Sequence, residues 1–392
     1  MRIAVVGAGA AGIFYALMRK KYHPEDEIFL LDQESQIGKK IYATGNGRCN
    51  LGNVNEMHDD TYRHFSSTKK CLENATWDDI WKEMQWLGLE IKTNEHGLIY
   101  PRTESAKTVM DVFLYRLKQM NIMVYPSMEM TDYAFDNSKW KVCTKKENMF
   151  PCFDRLVFAT GGKSSPKLGS KGTMYPIFHE HGYSIHALCP GLTPLQVEED
   201  VSALSGIRIK CRLSLLEEQK VLYQEGGEVL FKKDGISGIA VMNASSIYQR
   251  RGQTPTVISL DLFPEYSVSE LVSMWEQKEE NGYPYLDGTI LTPLARYIEK
   301  RAKVKGRKSK QEKEVVAKLV KSLTFKIVDS YSFQDSQVTI GGVSLQNIDD
   351  YFESKKETGV YFIGEVLDQD GLCGGWNLMW AWLSAFIAAK EK

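Results

Sequence analysis

Gly7, Gly9 and Gly12 stand in the spacing G-x-G-x-x-G directly after the apolar run Arg2-Ile-Ala-Val-Val6. A helix-competent stretch runs from Ala10 to about Tyr22, and a second apolar run, Glu27 to Leu31, ends at Asp32. Strand, glycine turn, helix and strand in this order make a β-α-β unit, which commits the chain to a parallel sheet with helical crossovers. Each glycine has a separate duty: Gly7 permits the tight turn, Gly9 lets the backbone approach a pyrophosphate, and Gly12 lets helix and strand pack closely. Phosphates would sit on the positive end of the helix, facing its unpaired N–H groups. Asp32, twenty residues past Gly12, is placed to accept hydrogen bonds from an adenosine ribose, which disfavours a 2′-phosphate there.

Two later apolar strands also stop at glycine: Leu156-Val-Phe-Ala159 before Thr160-Gly161-Gly162, and Gly359-Val-Tyr-Phe-Ile363 before Gly364. That is the pattern of strand ends facing a ligand. Residues 123–153, including Met123-Val124-Tyr125, read as a small antiparallel meander. From about 190 to 333 no further β-α-β pattern occurs; strand-like pieces give way to a charged helical part at about 267–323. This block reads as an insertion, leaving 1–189 and 334–392 as one discontinuous Rossmann-like domain.

Lys and Arg total 49 against 50 Asp and Glu, a net charge of −1. So even a balance gives no electrostatic case for nucleic acid or an anionic membrane as partner. The basic run Lys300–Lys321 holds ten Lys or Arg and two Glu, and is read as a solvated helix face or linker in preference to a nucleic-acid contact. Seven cysteines without a C-x-x-C pair fit free thiols in a reducing cytoplasm. Gly371–Ala389 is uncharged over 19 residues; with its glycines, Asn377 and three tryptophans it is read as a buried helix, not a membrane anchor.

The glycine fingerprint does not separate NAD from FAD, and no second G-x-G-x-x-G follows a strand. The choice rests on Gly364-Glu-Val-Leu-Asp-Gln-Asp-Gly371 followed by Gly374-Gly375-Trp376-Asn377 and a helix. Flavoproteins of glutathione-reductase-like architecture carry a late acidic residue at the ribityl chain and a helix N-terminus aimed at the flavin. The half positive charge of such a terminus favours the anionic reduced flavin. Gly38–Asn50, rich in small and amide residues with Lys39, Lys40 and Arg48, suits a loop over pyrophosphate and flavin. Cys49 has no partner cysteine nearby in sequence and is read as a packing residue.

ATGNGRCN (43–50), ATGGKSSPKLGSKG (159–172), GEVLFKKDGISG (227–238), TIGGV (339–343) and GEVLDQDGLCGGWNLMWAW (364–382) occur in this order. Together they resemble the bacterial flavoprotein family of aminoacetone oxidase-like and bile-acid-reductase-like enzymes. The resemblance spans Ile3 to Ala389. It implies FAD, an α/β fold with a discontinuous Rossmann-like FAD-binding domain, and an inserted domain of a small β-barrel plus helices. By position, Gly7, Gly9, Ala10, Ala11, Gly12, Asp32 and Gln33 would bind the ADP half. Lys39, Lys40, Thr44, Gly45, Asn46, Gly47, Arg48, Cys49 and Asn50 would surround the ribityl and flavin. So would Thr160, Gly161 and Gly162, and Gly364, Glu365, Asp368, Gly371, Gly374, Gly375, Trp376 and Asn377. The chain departs from the family at His96-Gly-Leu-Ile-Tyr-Pro101, where an arginine is absent, at Ile239 in place of proline, and at Trp376 in place of tyrosine.

No catalytic acid, base, nucleophile or metal set announces itself. His23, His58, His64, His96, His179, His181 and His186 are scattered, each read as a surface or satisfied core histidine. Flavin performs the redox step itself. The expectation is therefore an FAD-dependent oxidoreductase of a small organic substrate, bound between the flavin and the inserted domain. An oxidase reoxidised by O2 is favoured, since one nucleotide fold leaves NAD(P)H to share the substrate cleft. The alternatives are an NAD(P)H-dependent reductase of an unsaturated or carbonyl compound, and a non-catalytic flavin-binding module.

Overall fold

The computed structural model describes residues 1–146, 150–254, 256–304 and 309–391. Residues 147–149 of the expected meander and 305–308 of the basic run lie outside the described residues. The chain divides into two compact units, Met1–Gly191 with Ser336–Lys392, and Leu192–Asp335.

In the first unit, β1 (Arg2–Val6) lies between β2 (Glu27–Leu31) and the strand Arg155–Phe158. Val360–Phe362 and Met123–Tyr125 complete a five-stranded parallel sheet at its two edges. Both faces are covered, so the strands are near-continuous apolar runs rather than alternating ones. Val6 pairs with Phe158, and Phe158 with Phe362. The three glycine-stopped strands therefore end level, at one edge of the sheet.

Met123–Tyr125 corrects the sequence reading: it is a parallel edge strand, not part of the meander. The helix Ala106–Gln119 directly precedes it and supplies the crossover that a parallel pairing needs. Three apolar residues without a period do not reveal that. The antiparallel meander itself comprises Met130–Asp136, Lys139–Thr144 and Phe150–Phe153.

α1 (Ala10–Tyr22) packs against the C-terminal helix, Trp376–Lys390, with Phe14 edge-on to Trp382 at 5.4 Å. Twelve of that helix's 15 residues are buried, which accounts for the uncharged run 371–389 as core. Among the described residues no helix is long and apolar enough to cross a membrane.

The second unit is a closed six-stranded antiparallel barrel in the order 195–197, 235–237, 220–231, 208–217, 257–261, 323–330. Helices Ile239–Arg250, Val268–Glu280, Thr292–Ala302 and Lys310–Lys321 belong to it. Ser267 with Glu270 and Ser309 with Glu312 form capping boxes that start two of these helices. Its own core includes Phe231, Phe325 and Trp275.

Candidate functional site

The turn after β1 is built as the spacing requires. Gly7 has φ of +103°, and a Cβ there would lie 2.3 Å from the Ala159 carbonyl oxygen. A Cβ on Gly12 would lie 1.9 Å from the Gly7 oxygen, so both positions exclude side chains for packing. Gly9 differs: a Cβ there meets nothing within 4 Å. Gly9 is the N-cap of α1, no side chain caps that helix, and its first turn, Ala10, Ala11 and Gly12, holds no acidic residue. The positive helix end thus opens onto free space.

Asp32 closes one side of this turn. Its Oδ2 accepts from the Ala8 N–H at 2.7 Å and its Oδ1 from the Glu34 N–H at 2.7 Å. Burial raises its pKa, and the two main-chain donors offset this only in part. The Gln33 amide nitrogen donates to the Gly169 carbonyl, while its buried Oε1 has no partner among the described residues.

Opposite, Gly38 adopts a left-handed conformation and leads into α2 (Lys39–Ala43). The two lysines part company there. Lys39 pairs with Glu34, and Lys40 reaches Glu365 Oε2 at 2.8 Å and Ser164 Oγ at 2.9 Å. Glu365 Oε1 accepts from Ser164 Oγ at 3.0 Å and from the Thr339 N–H at 2.9 Å. This network ties together α2, Ser164 just past the loop Thr160-Gly161-Gly162, Thr339, and Glu365 after Gly364. A Cβ on Gly162 would collide with Thr339 Oγ1 at 2.2 Å, and one on Gly364 with Ala11 Cβ at 2.8 Å.

The loop after α2 turns through Gly45, Asn46, Gly47 and Cys49, all with positive φ. Thr44 Oγ1 donates to the Lys40 carbonyl at 2.7 Å, and Asn50 Oδ1 accepts from the Gly52 N–H at 3.3 Å. Cys49 is fully buried, and burial pushes its thiol up to about 12, so it packs rather than reacts. Arg48 is not gathered with the others: half-exposed, it lies over the Tyr100 ring and 3.7 Å from Glu104.

At the other end, Asn377 Oδ1 accepts from the Gly371 N–H at 2.9 Å, and its Nδ2 donates to the Gly371 oxygen at 2.8 Å. Asn377 therefore holds its own loop in shape. Gly374 accepts from Asn53 Nδ2 at 3.0 Å, and Gly375, left-handed, would place a Cβ 2.7 Å from Gly52 Cα. Trp376 is buried edge-on to Tyr62, whose hydroxyl donates to the Trp376 carbonyl at 2.7 Å. No side chain caps the N-terminus of the last helix.

Asp368 sits between these two stretches and is wholly buried. Its Oδ1 accepts from the Arg63 guanidinium at 2.7 Å. Its Oδ2 meets His64 Nε2 at 3.1 Å and also His186 Nδ1. Burial alone would raise the carboxyl pKa; the two imidazoles and Arg63 outweigh it and hold it below the ordinary range. Sequence reading missed Arg63, His64 and His186: the first two are neighbours, but they lie 122 or more positions from His186 and 304 or more from Asp368, and the groups meet only through the fold. The single cue was Asp368 itself, already expected on the cofactor side of the Gly364–Gly371 stretch. By contrast, His181 is satisfied structurally, 3.1 Å from Glu357 and stacked on Tyr133.

The profile of the HI0933-like protein Rossmann domain matches residues 1–391. The chain belongs to this family. It is, with the family, an FAD-dependent oxidoreductase. The 3-dehydro-bile acid delta(4,6)-reductase of Clostridium scindens is 29% identical, covering 99% of this chain and 98% of its own. The ribosomal RNA dihydrouridine synthase of Escherichia coli is 26% identical, covering 99% and 96%. The 3-ketosteroid delta1-dehydrogenase of Sterolibacterium denitrificans, solved with 1,4-androstadiene-3,17-dione, shares the fold at a TM-score of 0.50 and 8% identity, covering 99% and 98%.

The residues of this HI0933-like chain fit FAD. The open space at Gly9 in front of an uncapped helix suits a pyrophosphate. The Asp32 carboxylate and the unpartnered Gln33 Oε1 suit an adenosine. The Lys40–Glu365 pair and the uncapped last helix supply polar groups for the far end.

Proposed function

We propose that this HI0933-like protein reduces a carbon–carbon double bond conjugated to a carbonyl group. The observation that carries the reading is what two relatives, each aligned over nearly the whole chain, have in common. A delta(4,6)-reductase of a 3-dehydro bile acid and a dihydrouridine synthase differ in substrate, but both names describe saturating a double bond conjugated to a carbonyl. A steroid-like small molecule is favoured over RNA, because the net charge of −1 offers no general attraction to phosphates.

FAD, when bound, supplies hydride exchange at its N5. The chain's own residues divide the remaining work. The first turn of α1 and Asp32 hold the ADP half. Lys40 and Glu365, paired with each other, present one cation and one carboxylate without net charge. Asp368 keeps Arg63, His64 and His186 in fixed positions as the polar groups available to a substrate carbonyl.

The test is anaerobic stopped flow. NADPH or NADH should bleach the flavin, and a 3-oxo-Δ4,6 bile acid should restore its colour faster than O2 does. Rapid reoxidation by O2 after reduction by an amine, with no response to the enone, would replace this reading by the oxidase. Reoxidation by a uridine-rich ribosomal RNA fragment alone would move the substrate to nucleic acid.

A further inference from the structure

We propose that His186 is the proton donor of this reduction and that Asp368 is its positioning residue; the inference rests on the double-bond reduction proposed above. Adding hydride to an unsaturated carbonyl is half a reaction, because the other carbon needs a proton. The Asp368 cluster is the group of side chains built to deliver one. Asp368 lies three residues after Glu365 and seven before Gly375, between two stretches that flank the cofactor fit.

Two histidines contact the same Oδ2, but through different nitrogens. His64 bonds through Nε2, which leaves Nδ1, crowded by its own Cβ and main chain. His186 bonds through Nδ1, which leaves Nε2 on the far side of the ring. That atom has no partner among the described residues, and the His186 side chain is 48% exposed while Asp368 is 0% exposed. A buried carboxylate on Nδ1 holds that nitrogen as the N–H donor and fixes the ring angle, so in the doubly protonated ring Nε2 is the nitrogen left free to give a proton. His186 stands on the strand Ile185–Gly191, paired with Gly342 of Val338–Val343. A Cβ on Gly342 would lie 2.6 Å from the Val366 oxygen, so the histidine's strand and the Asp368 segment are tied through close backbone packing. Other titratable groups facing the cluster are Arg63, His64, Cys189, whose thiol burial raises, and Tyr175.

In the step, the carbon–carbon π bond breaks. A hydride with its two electrons forms the C–H bond β to the carbonyl. The Nε2 proton forms the C–H bond at the α carbon, leaving a neutral imidazole that recovers its proton from water. A reduced nicotinamide returns two electrons to the cofactor.

Holoenzyme reduced with dithionite and mixed anaerobically with a 3-oxo-Δ4,6 bile acid tests this. The wild-type reoxidation rate should fall as pH rises through the histidine range. His186→Gln should lower the rate about 100-fold or more and abolish the pH dependence, with FAD content and reduction by NADPH unchanged. His64→Gln should keep the pH dependence. Independently of turnover, the apoprotein should give a slowly exchanging downfield Nδ1–H proton resonance that is lost in both His186→Gln and Asp368→Asn. An unaltered rate and profile in His186→Gln, a flat profile in His64→Gln, or absence of that resonance overturns the assignment. If wild-type enzyme is not reoxidised by the probe, the reductase reading fails first and takes this one with it; if it is, only the donor stands or falls.

Discussion

Gly9 and Gly12 separate ligand binding from packing within four residues. A methyl group at Gly9 touches nothing in the folded chain, whereas at Gly12 it strikes the Gly7 oxygen. Gly9→Ala should therefore leave the thermal midpoint of the apoprotein within about 2 °C, since a surface change free of clashes is worth under about 0.5 kcal/mol. The same change should weaken FAD binding at least about tenfold, read by fluorescence titration. Gly12→Ala should lower the apoprotein midpoint as well, because a backbone clash must be relieved. Asp32 adds a pH dependence. Its pKa is raised by burial, so FAD affinity should drop as pH falls through that raised value, and Asp32→Asn should bind weakly and without this pH dependence. Asp368 shifts the other way. A depressed folded pKa contributes stability that is complete above the ordinary aspartate value and is lost as pH falls toward the depressed one. Asp368→Asn should then be less stable than wild type by about 1.5–3 kcal/mol at neutral pH, the range for hydrogen bonds to a charged group. The gap should narrow in acid, as chemical denaturation at several pH values will measure.

At the scale of elements, the three glycine-stopped strands were legible because each is a continuous apolar run, and only a strand covered on both faces reads that way. The C-terminal helix was legible as core for a related reason: it is apolar around its whole circumference and its tryptophans need partners. Trp382, fully buried against Phe14 and Phe113, should cost about 3–5 kcal/mol on truncation to alanine, read as a fall in denaturation midpoint. Met123–Tyr125 was not legible, because three residues at a sheet edge carry no period. The histidine cluster was hidden for a different reason. His64 lies in a loop and His186 on a strand, and only the buried Asp368 between them gives either one a role. Arg48 and Trp376, both expected near the cofactor, have side-chain directions that a motif position does not specify: Arg48 lies over Tyr100, and Trp376 packs edge-on to Tyr62.

At the scale of the molecule, the inserted unit begins at Leu192 and ends at Asp335, and the residues flanking it, Gly191 and Val338, are paired neighbours in one antiparallel sheet. Replacing 192–335 with a short Gly-Ser linker should leave a folded, yellow, FAD-binding remainder, checked by absorbance and by circular dichroism. A colourless, unfolded product would mean that the first unit depends on the second. The sheet carries a further consequence in time. Its edge strand Val360–Phe362, Glu365 and the helix against α1 all follow the glycine turn at Gly7 by some 350 residues or more. A nascent chain emerging from the ribosome thus exposes half of a dinucleotide cradle long before the matching half is translated, and cofactor capture must wait for that later segment.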